Sequence, residues 1–323
     1  MLKYILKRLG LCLLILLAVS LIIYVLVRCM PTDFVEDKIN SMQQNNPNVG
    51  EDVIENMKKV YGVEDDSALG VLKGYIKWIS DVMRLDLGKT FKSNTPVVTE
   101  IRDAMPTSFI VALIATFFEF MIAIPLGITA ATHQYSIRDY VVTVLVMVGI
   151  SLPSFFLGKM LLSVFAQNLG WFEFGTFDWE MSPLKIASHL FLPILTVVIL
   201  SIGGRMRMTR TNMLEVLNSD FIRTARAKGL SERKVIYKHA FRNTLIPLVT
   251  SLAGLLPTLF SGAIITEQVF DIPGIGNVAL EAMMAGDIPF IMGYNVFLAL
   301  LSVLGVLLSD LMYVIVDPRV KMN

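Results

Sequence analysis

Residues 107–131 read TSFIVALIATFFEFMIAIPLGITAA, and one acid, Glu119, is the only charge in the run. A helix satisfies its own backbone hydrogen bonds, so a stretch of about 20 apolar residues can cross a hydrocarbon core roughly 30 Å thick. Comparable runs lie at Leu9–Val27, Tyr140–Ala166, Leu190–Met208, Leu245–Ile265 and Phe290–Val316, giving six candidate spans. The whole chain fits this reading. Of its 323 residues 54% are hydrophobic and only 17% charged, and its mean hydropathy is +0.64. An ordinary soluble domain carries more charge, so lipid is the expected solvent.

Lys3, Lys7 and Arg8 precede the first run, as in both a signal peptide and a first span. The run is too long for a signal core, and Arg28 before Cys29 is not the small residue a lipoprotein site needs. If this start faces the cytoplasm, so does the segment Arg205–Asn243, which holds ten Lys or Arg against three acids. That excess is the positive-inside signature and predicts that both termini are cytoplasmic. Loops assigned to the other side are acidic, as in Glu64-Asp65-Asp66, Asp178 with Glu180, and Glu267 with Asp271. A net charge of +1 gives no footing for nucleic acid. Cys12 and Cys29 read as packing residues, and His133, His189 and His239 are too dispersed for a metal site.

The segment from Pro31 to Met105 reads as helical pieces on the outer side. Leu72, Tyr75, Ile79 and Val82 recur at helical spacing, so one face is expected to pack on the bundle. Gly88-Lys89-Thr90 invites a phosphate-loop reading, but the required first glycine is replaced by Met83.

Between the fourth and fifth runs the chain reads RMRMTRTNMLEVLNSDFIRTARAKGLSERKVIYKHAFRNTLIP from Arg205 to Pro247. Its punctuation predicts two helices. Leu214, Leu217, Phe221 and Thr224 fall on one face, with Arg223, Arg226 and Lys228 elsewhere. Gly229 suits the left-handed residue that ends a helix, with apolar Leu230 following. Ser231 then caps a second helix, and Glu232 suits the positive end of its dipole. The product is either a solvated basic loop or a rigid elbow able to transmit a push.

Asp220-Phe221-Ile222-Arg223-Thr224-Ala225-Arg226-Ala227-Lys228-Gly229-Leu230, followed by His239-Ala240-Phe241-Arg242-Asn243, closely resembles the EAA-type loop of the oligopeptide/dipeptide permeases. These are membrane subunits of binding-protein-dependent ABC importers. The likeness continues through Pro125-Leu126-Gly127, Ser151-Leu152-Pro153-Ser154-Phe155, Gly170-Trp171-Phe172, Glu267-Gln268-Val269-Phe270-Asp271-Ile272-Pro273-Gly274-Ile275-Gly276 and Asp317-Pro318-Arg319. Arg223-Thr224-Ala225 stands where the general motif has Glu-Ala-Ala, a variant typical of the peptide/nickel branch. Glu173 stands where the family often has proline.

The resemblance implies an all-α integral membrane protein of about six spans with the type I importer permease fold. Its expected parts are an N-terminal span (1–30), an extracytoplasmic helical segment (31–95), a five-helix core (96–317) containing the cytoplasmic loop 205–243, and a short tail (318–323). It implies a second homologous permease subunit, two cytoplasmic ATPase subunits that use ATP and Mg, and an extracytoplasmic peptide-binding protein. The chain itself would bind no cofactor and, lacking a Walker A sequence, would not be the enzyme. Asp220, Arg223, Thr224, Ala225, Arg226, Ala227, Lys228 and Gly229 would form the coupling element, with Arg223 and Arg226 either touching the ATPase or staying solvated. Peptides are the leading solute, nickel or another small solute the alternative, and a secondary transporter the distant rival. Charges within spans invite a functional reading: Glu119 is a possible pathway-lining residue, whereas Lys159 and Asp310 sit nearer the ends of theirs. Pro273, Gly274 and Gly276 are expected to form an outer turn before a short helix.

Overall fold

A computed structural model of the chain describes residues 2–28, 40, 54–55 and 68–316. Cys29, Glu64-Asp65-Asp66, Asp317-Pro318-Arg319 and the tail 318–323 lie outside the described residues. Among the described residues the structure is helical, with a single isolated bridge between Lys89 and Pro96. In order the helices are α1 (Leu2–Arg28), α2 (Ala68–Met83), α3 (Val97–Thr132), α4 (Ile137–Ser151) and α5 (Ser154–Leu161). They continue with α6 (Pro183–Leu217), α7 (Asp220–Ala227), α8 (Glu232–Lys234), α9 (Arg242–Thr250), α10 (Leu255–Phe260), α11 (Ile264–Val269), α12 (Ile275–Ala285) and α13 (Ile288–Val316). Leu162–Asn168 and Val235–Phe241 are π-helical extensions of α5 and α8.

Three of the expected spans are single long apolar helices: α3, α6 and α13. The third is not one rod. Its halves, α4 and α5 with its extension, meet at 99°, because Pro153 lacks an N–H and holds Leu152 in extended backbone (φ −83, ψ 132). The fifth, Leu245–Ile265, is also interrupted, by the 3-10 turn Ser251–Gly254 and by Gly262 at φ +71. Hydropathy stays high across both breaks, so apolar content alone does not register them. The fourth span runs further than expected at both ends, and Arg205, Arg207 and Arg210 lie on α6 itself rather than in a loop.

The chain divides at Pro106/Thr107, Asn277/Val278 and Val303/Leu304 into two compact units. In the first unit, Tyr24 and Val27 of α1 pack with Phe91, Ile288 and Met292, and Val71, Tyr75 and Trp78 of α2 lean on the same cluster. The inward face of α2 therefore carries Val71 rather than the expected Leu72, which is exposed. The buried Asp287 carboxylate accepts the backbone N–H groups of Phe91 (2.7 Å), Lys92 (3.2 Å) and Phe290 (3.4 Å). Burial nevertheless lifts its carboxyl above the usual range. A raised acid pKa stabilises the fold below the unfolded value of about 4 and loses that contribution as pH rises through the folded value. Asp287→Asn is expected to flatten this fall, read as thermal unfolding in detergent across the weakly acidic range.

In the second unit, α6 is the central helix. Its close approach to α3 depends on Gly127, where a methyl group would stand 2.7 Å from the Thr209 Cβ. At Gly203 a methyl would collide with Ile150 of α4. Small residues at crossings let helices meet closely where lipid supplies no hydrophobic drive.

Candidate functional site

The elbow begins where α6 stops. Ser219 is extended (φ −75, ψ 154), and its hydroxyl donates back to the Val216 carbonyl (2.6 Å) rather than capping α7. This break resets the helical phase, so the expected face through Leu214, Leu217, Phe221 and Thr224 is not continuous. Ile222 and Ala225 point inward instead, while Phe221 and Thr224 are exposed. Ile222 is wholly buried (0%) against Met213, Val235 and Ala240, with Ile128 and Ala131 of α3 in the same cluster. The elbow is thus bolted to the ends of α3 and α6.

Gly229 lies at φ +73. Its N–H bonds to the Arg226 carbonyl (2.9 Å) and that of Leu230 to the Ala225 carbonyl (3.4 Å), the paired bonds of a Schellman ending. Leu230 packs into the apolar cluster beneath. Ser231 occupies the cap position of α8 in extended backbone, but its side chain makes no cap bond. Glu232 instead receives Arg226 across the turn: Arg226 Nε to Oε1 is 2.8 Å and the second guanidinium nitrogen to Oε2 is 3.4 Å. Arg226 therefore holds the two arms of the elbow together. Arg223 reaches Asp220 at 3.4 Å on the exposed surface. Of the eight predicted coupling residues, Asp220, Arg223, Thr224, Arg226, Ala227, Lys228 and Gly229 are exposed, and Ala225 is buried. The exposed Phe221 and Tyr237 add an apolar element that charge counting overlooked.

Glu119 is partnered within the chain. Arg205 Nε donates to its Oε1 (3.0 Å), and Arg205 also donates to Ser251 Oγ (2.7 Å) and stacks 4.4 Å from the Phe120 ring centroid. One guanidinium thereby ties α3, α6 and the 3-10 turn. A second tie lies closer to the elbow. Arg210 makes a two-bond fork to Asp139 (3.0 and 2.9 Å), a buried carboxylate that also accepts the Tyr135 N–H (3.1 Å). Removing one partner of such a pair leaves an uncompensated charge, so Asp139→Ala is expected to cost about 3–5 kcal/mol of stability. Thermal unfolding of the purified chain measures it, and Asp139→Leu with Arg210→Met together should recover most of the loss. Lys159 is exposed on α5, and Asp310 is half-buried on α13.

In the sequence Glu267 reads as an outer-loop acid and as the first residue of the family-like stretch ending at Gly276, with nothing to mark it as buried. Its side chain is 1% exposed and organises the turn around it. Oε1 accepts the Ser108 hydroxyl (2.6 Å) and the Ala263 N–H (3.0 Å), and Oε2 accepts the Asn277 N–H (3.0 Å). Ser108 in turn accepts the Ile275 N–H (2.8 Å). Methyl groups at Gly262, Gly274 or Gly276 would press on this carboxylate. The expected short helix is present as α12, starting at Ile275.

Long apolar helices joined by a rigid, basic elbow define a helical integral membrane protein. The chain belongs to the family of binding-protein-dependent transport system inner membrane components, which it matches over residues 123–322. The oligopeptide transport system permease protein AppB of Bacillus subtilis is 34% identical over 99% of this chain and 100% of its own length. The dipeptide transport system permease protein DppB of Lactococcus lactis is 33% identical over 100% of both. A chain of the MetNI methionine ABC transporter, solved in inward-facing conformations, shares the fold with a TM-score of 0.52 at 18% identity, covering 69% of this chain and 98% of that one.

Proposed function

We propose that the chain is one of two membrane subunits of an ATP-driven importer of di- or oligopeptides. The single observation that carries the mechanism is the elbow, whose buried face is locked to α3 and α6 while Phe221, Arg223, Lys228 and Tyr237 are exposed. In this reading the exposed face of Asp220–Gly229 sits in a groove of a cytoplasmic ATPase. Two such ATPase subunits hydrolyse ATP with Mg, and this chain supplies no catalytic group and binds no cofactor. Closure of the ATPases pushes the elbow, and its apolar anchorage carries the push to the cytoplasmic ends of the spans. Coupling needs a contact that differs between two states, and a rigid helix against a mobile partner meets that need. Both termini then face the cytoplasm, and an extracytoplasmic binding protein delivers the peptide on the other side.

Peptide as solute rests on the names of relatives that match the chain end to end. The test is reconstitution in liposomes with the neighbouring ATPase, permease and binding-protein gene products. ATP-dependent accumulation of a labelled peptide is the expected result. Uptake that ignores ATP but follows an ion gradient would sink the reading.

A further inference from the structure

The helix α2 carries three stripes rather than two. At roughly 100° per residue, Val71, Tyr75, Trp78 and Val82 share one face, Leu72, Ile76, Ile79 and Met83 a second, and Lys73, Lys77 and Asp81 a third. The first face is committed to protein, since Val71, Tyr75 and Trp78 pack on the cluster built around Tyr24 and Val27 of α1. The second is apolar yet largely exposed: Leu72 is 52%, Ile76 57% and Met83 74% accessible, with Ile79 half-buried between them.

The level at which α2 meets α1 identifies what covers that second stripe. The Tyr75 hydroxyl lies 2.8 Å from Ser20 Oγ and donates to the Leu17 carbonyl at 3.1 Å. Leu17 is near the middle of the apolar run Leu9–Val27, and Ser20 is about 12 Å along the helix from Arg28. Leu21, Ile22, Val25 and Leu26 on the same half of α1 are exposed apolar side chains. A helix in bulk water has no reason to send a tyrosine hydroxyl to mid-span. A helix sunk in one leaflet does, because a polar group there must find its partner inside the protein.

We propose that α2 lies in the membrane surface, with Leu72, Ile76 and Met83 in acyl chains and Lys73 and Lys77 extending along the flank to lipid phosphates. Its three stripes then face protein, lipid and headgroup or water. An interfacial helix buries its apolar face about 5–10 Å below the headgroups, and the length of the Tyr75 side chain carries its hydroxyl the remaining distance to Ser20 and Leu17. The lysines supply charge complementary to phosphate, and their aliphatic stems cover the edge of the lipid stripe. The segment after the first span is thereby a second membrane anchor. The assignment rests on the spans alone and stands whichever solute is carried.

Site-directed spin labelling tests it, on the full chain assembled with its partner subunits in phospholipid bilayers. Cys12→Ala and Cys29→Ser leave a single labelling site. Labels at Leu72→Cys and Ile76→Cys should collide with dissolved oxygen about threefold or more often than with an aqueous nickel chelate, and Lys73→Cys and Lys77→Cys should reverse that ratio. Met83→Cys repeats the measurement on the same stripe should the Ile76 variant fail to assemble. Equal nickel access at 72, 76, 73 and 77 would place the stripe in water and overturn the proposal. Exclusion of both reagents from 72 and 76, with immobilised spectra, would show a protein partner there instead and overturn it equally.

Discussion

Glu267→Ala is expected to destabilise the chain more than any other single change considered. It strips the acceptor from the Ser108 hydroxyl and from the Ala263 and Asn277 N–H groups. The Ser108 hydroxyl is buried and the two N–H groups are partly buried; an orphaned buried donor costs about 1–3 kcal/mol, so the three together remove a large share of the stability of an average domain. The loss is read as thermal unfolding in detergent and as protease access to the turn Phe270–Gly276. Glu267→Gln keeps the shape and one acceptor oxygen but turns an amide against a backbone donor, so its loss should be intermediate. Gly276→Ala attacks the same arrangement from the other side, since a methyl there stands 2.8 Å from Oε2. An alanine variant at 267 that melts with the native chain would mean that these donors reach water and that the carboxylate organises nothing.

Gly229→Val is expected to leave a folded, assembled protein that transports poorly. Nothing lies within 4 Å of a Cβ built at Gly229, so added bulk meets no neighbour. The penalty is in the backbone alone: φ +73 costs an ordinary L-residue about 1–2 kcal/mol, and a β-branched one more. The global fold can absorb that, whereas an elbow whose angle is a working part cannot. A shift of about 1.4 kcal/mol moves a two-state population tenfold, so peptide uptake and peptide-stimulated ATP hydrolysis should drop by about that factor. Gly229→Asn, which tolerates the left-handed region, should retain most of both. If valine and asparagine transport alike, the turn geometry has no part in coupling. Co-purification of the ATPase with the valine variant separates lost coupling from lost assembly.

What could be read from the sequence was what short range decides. Gly229, Leu230 and Ser231 announce the turn because its ending bonds lie within a few residues. Phe221 was placed on the wrong face for an equally local reason: the extended Ser219 restarts the helical phase, and periodicity counted across a break carries the error forward. The bend at Pro153 was hidden because lipid-facing residues stay apolar whether or not the helix is straight. Glu267 was out of reach for a different cause. Its hydroxyl partner, Ser108, is 159 residues away, and acid in a loop has no periodicity to betray burial. The same holds for the pairing of Glu119 with Arg205, 86 positions apart, and of Asp139 with Arg210, 71 apart.

Those last two pairs bear on how the subunit carries charge. A carboxylate or guanidinium left without a partner inside a helical bundle is costly. Here Arg205 finds Glu119, and Arg210 finds Asp139, within one polypeptide. Both arginines lie on α6, downstream of their acids; Glu119 and Arg205 meet within the apolar runs, and Asp139 and Arg210 meet just beyond them. Neither match needs a group supplied by another chain.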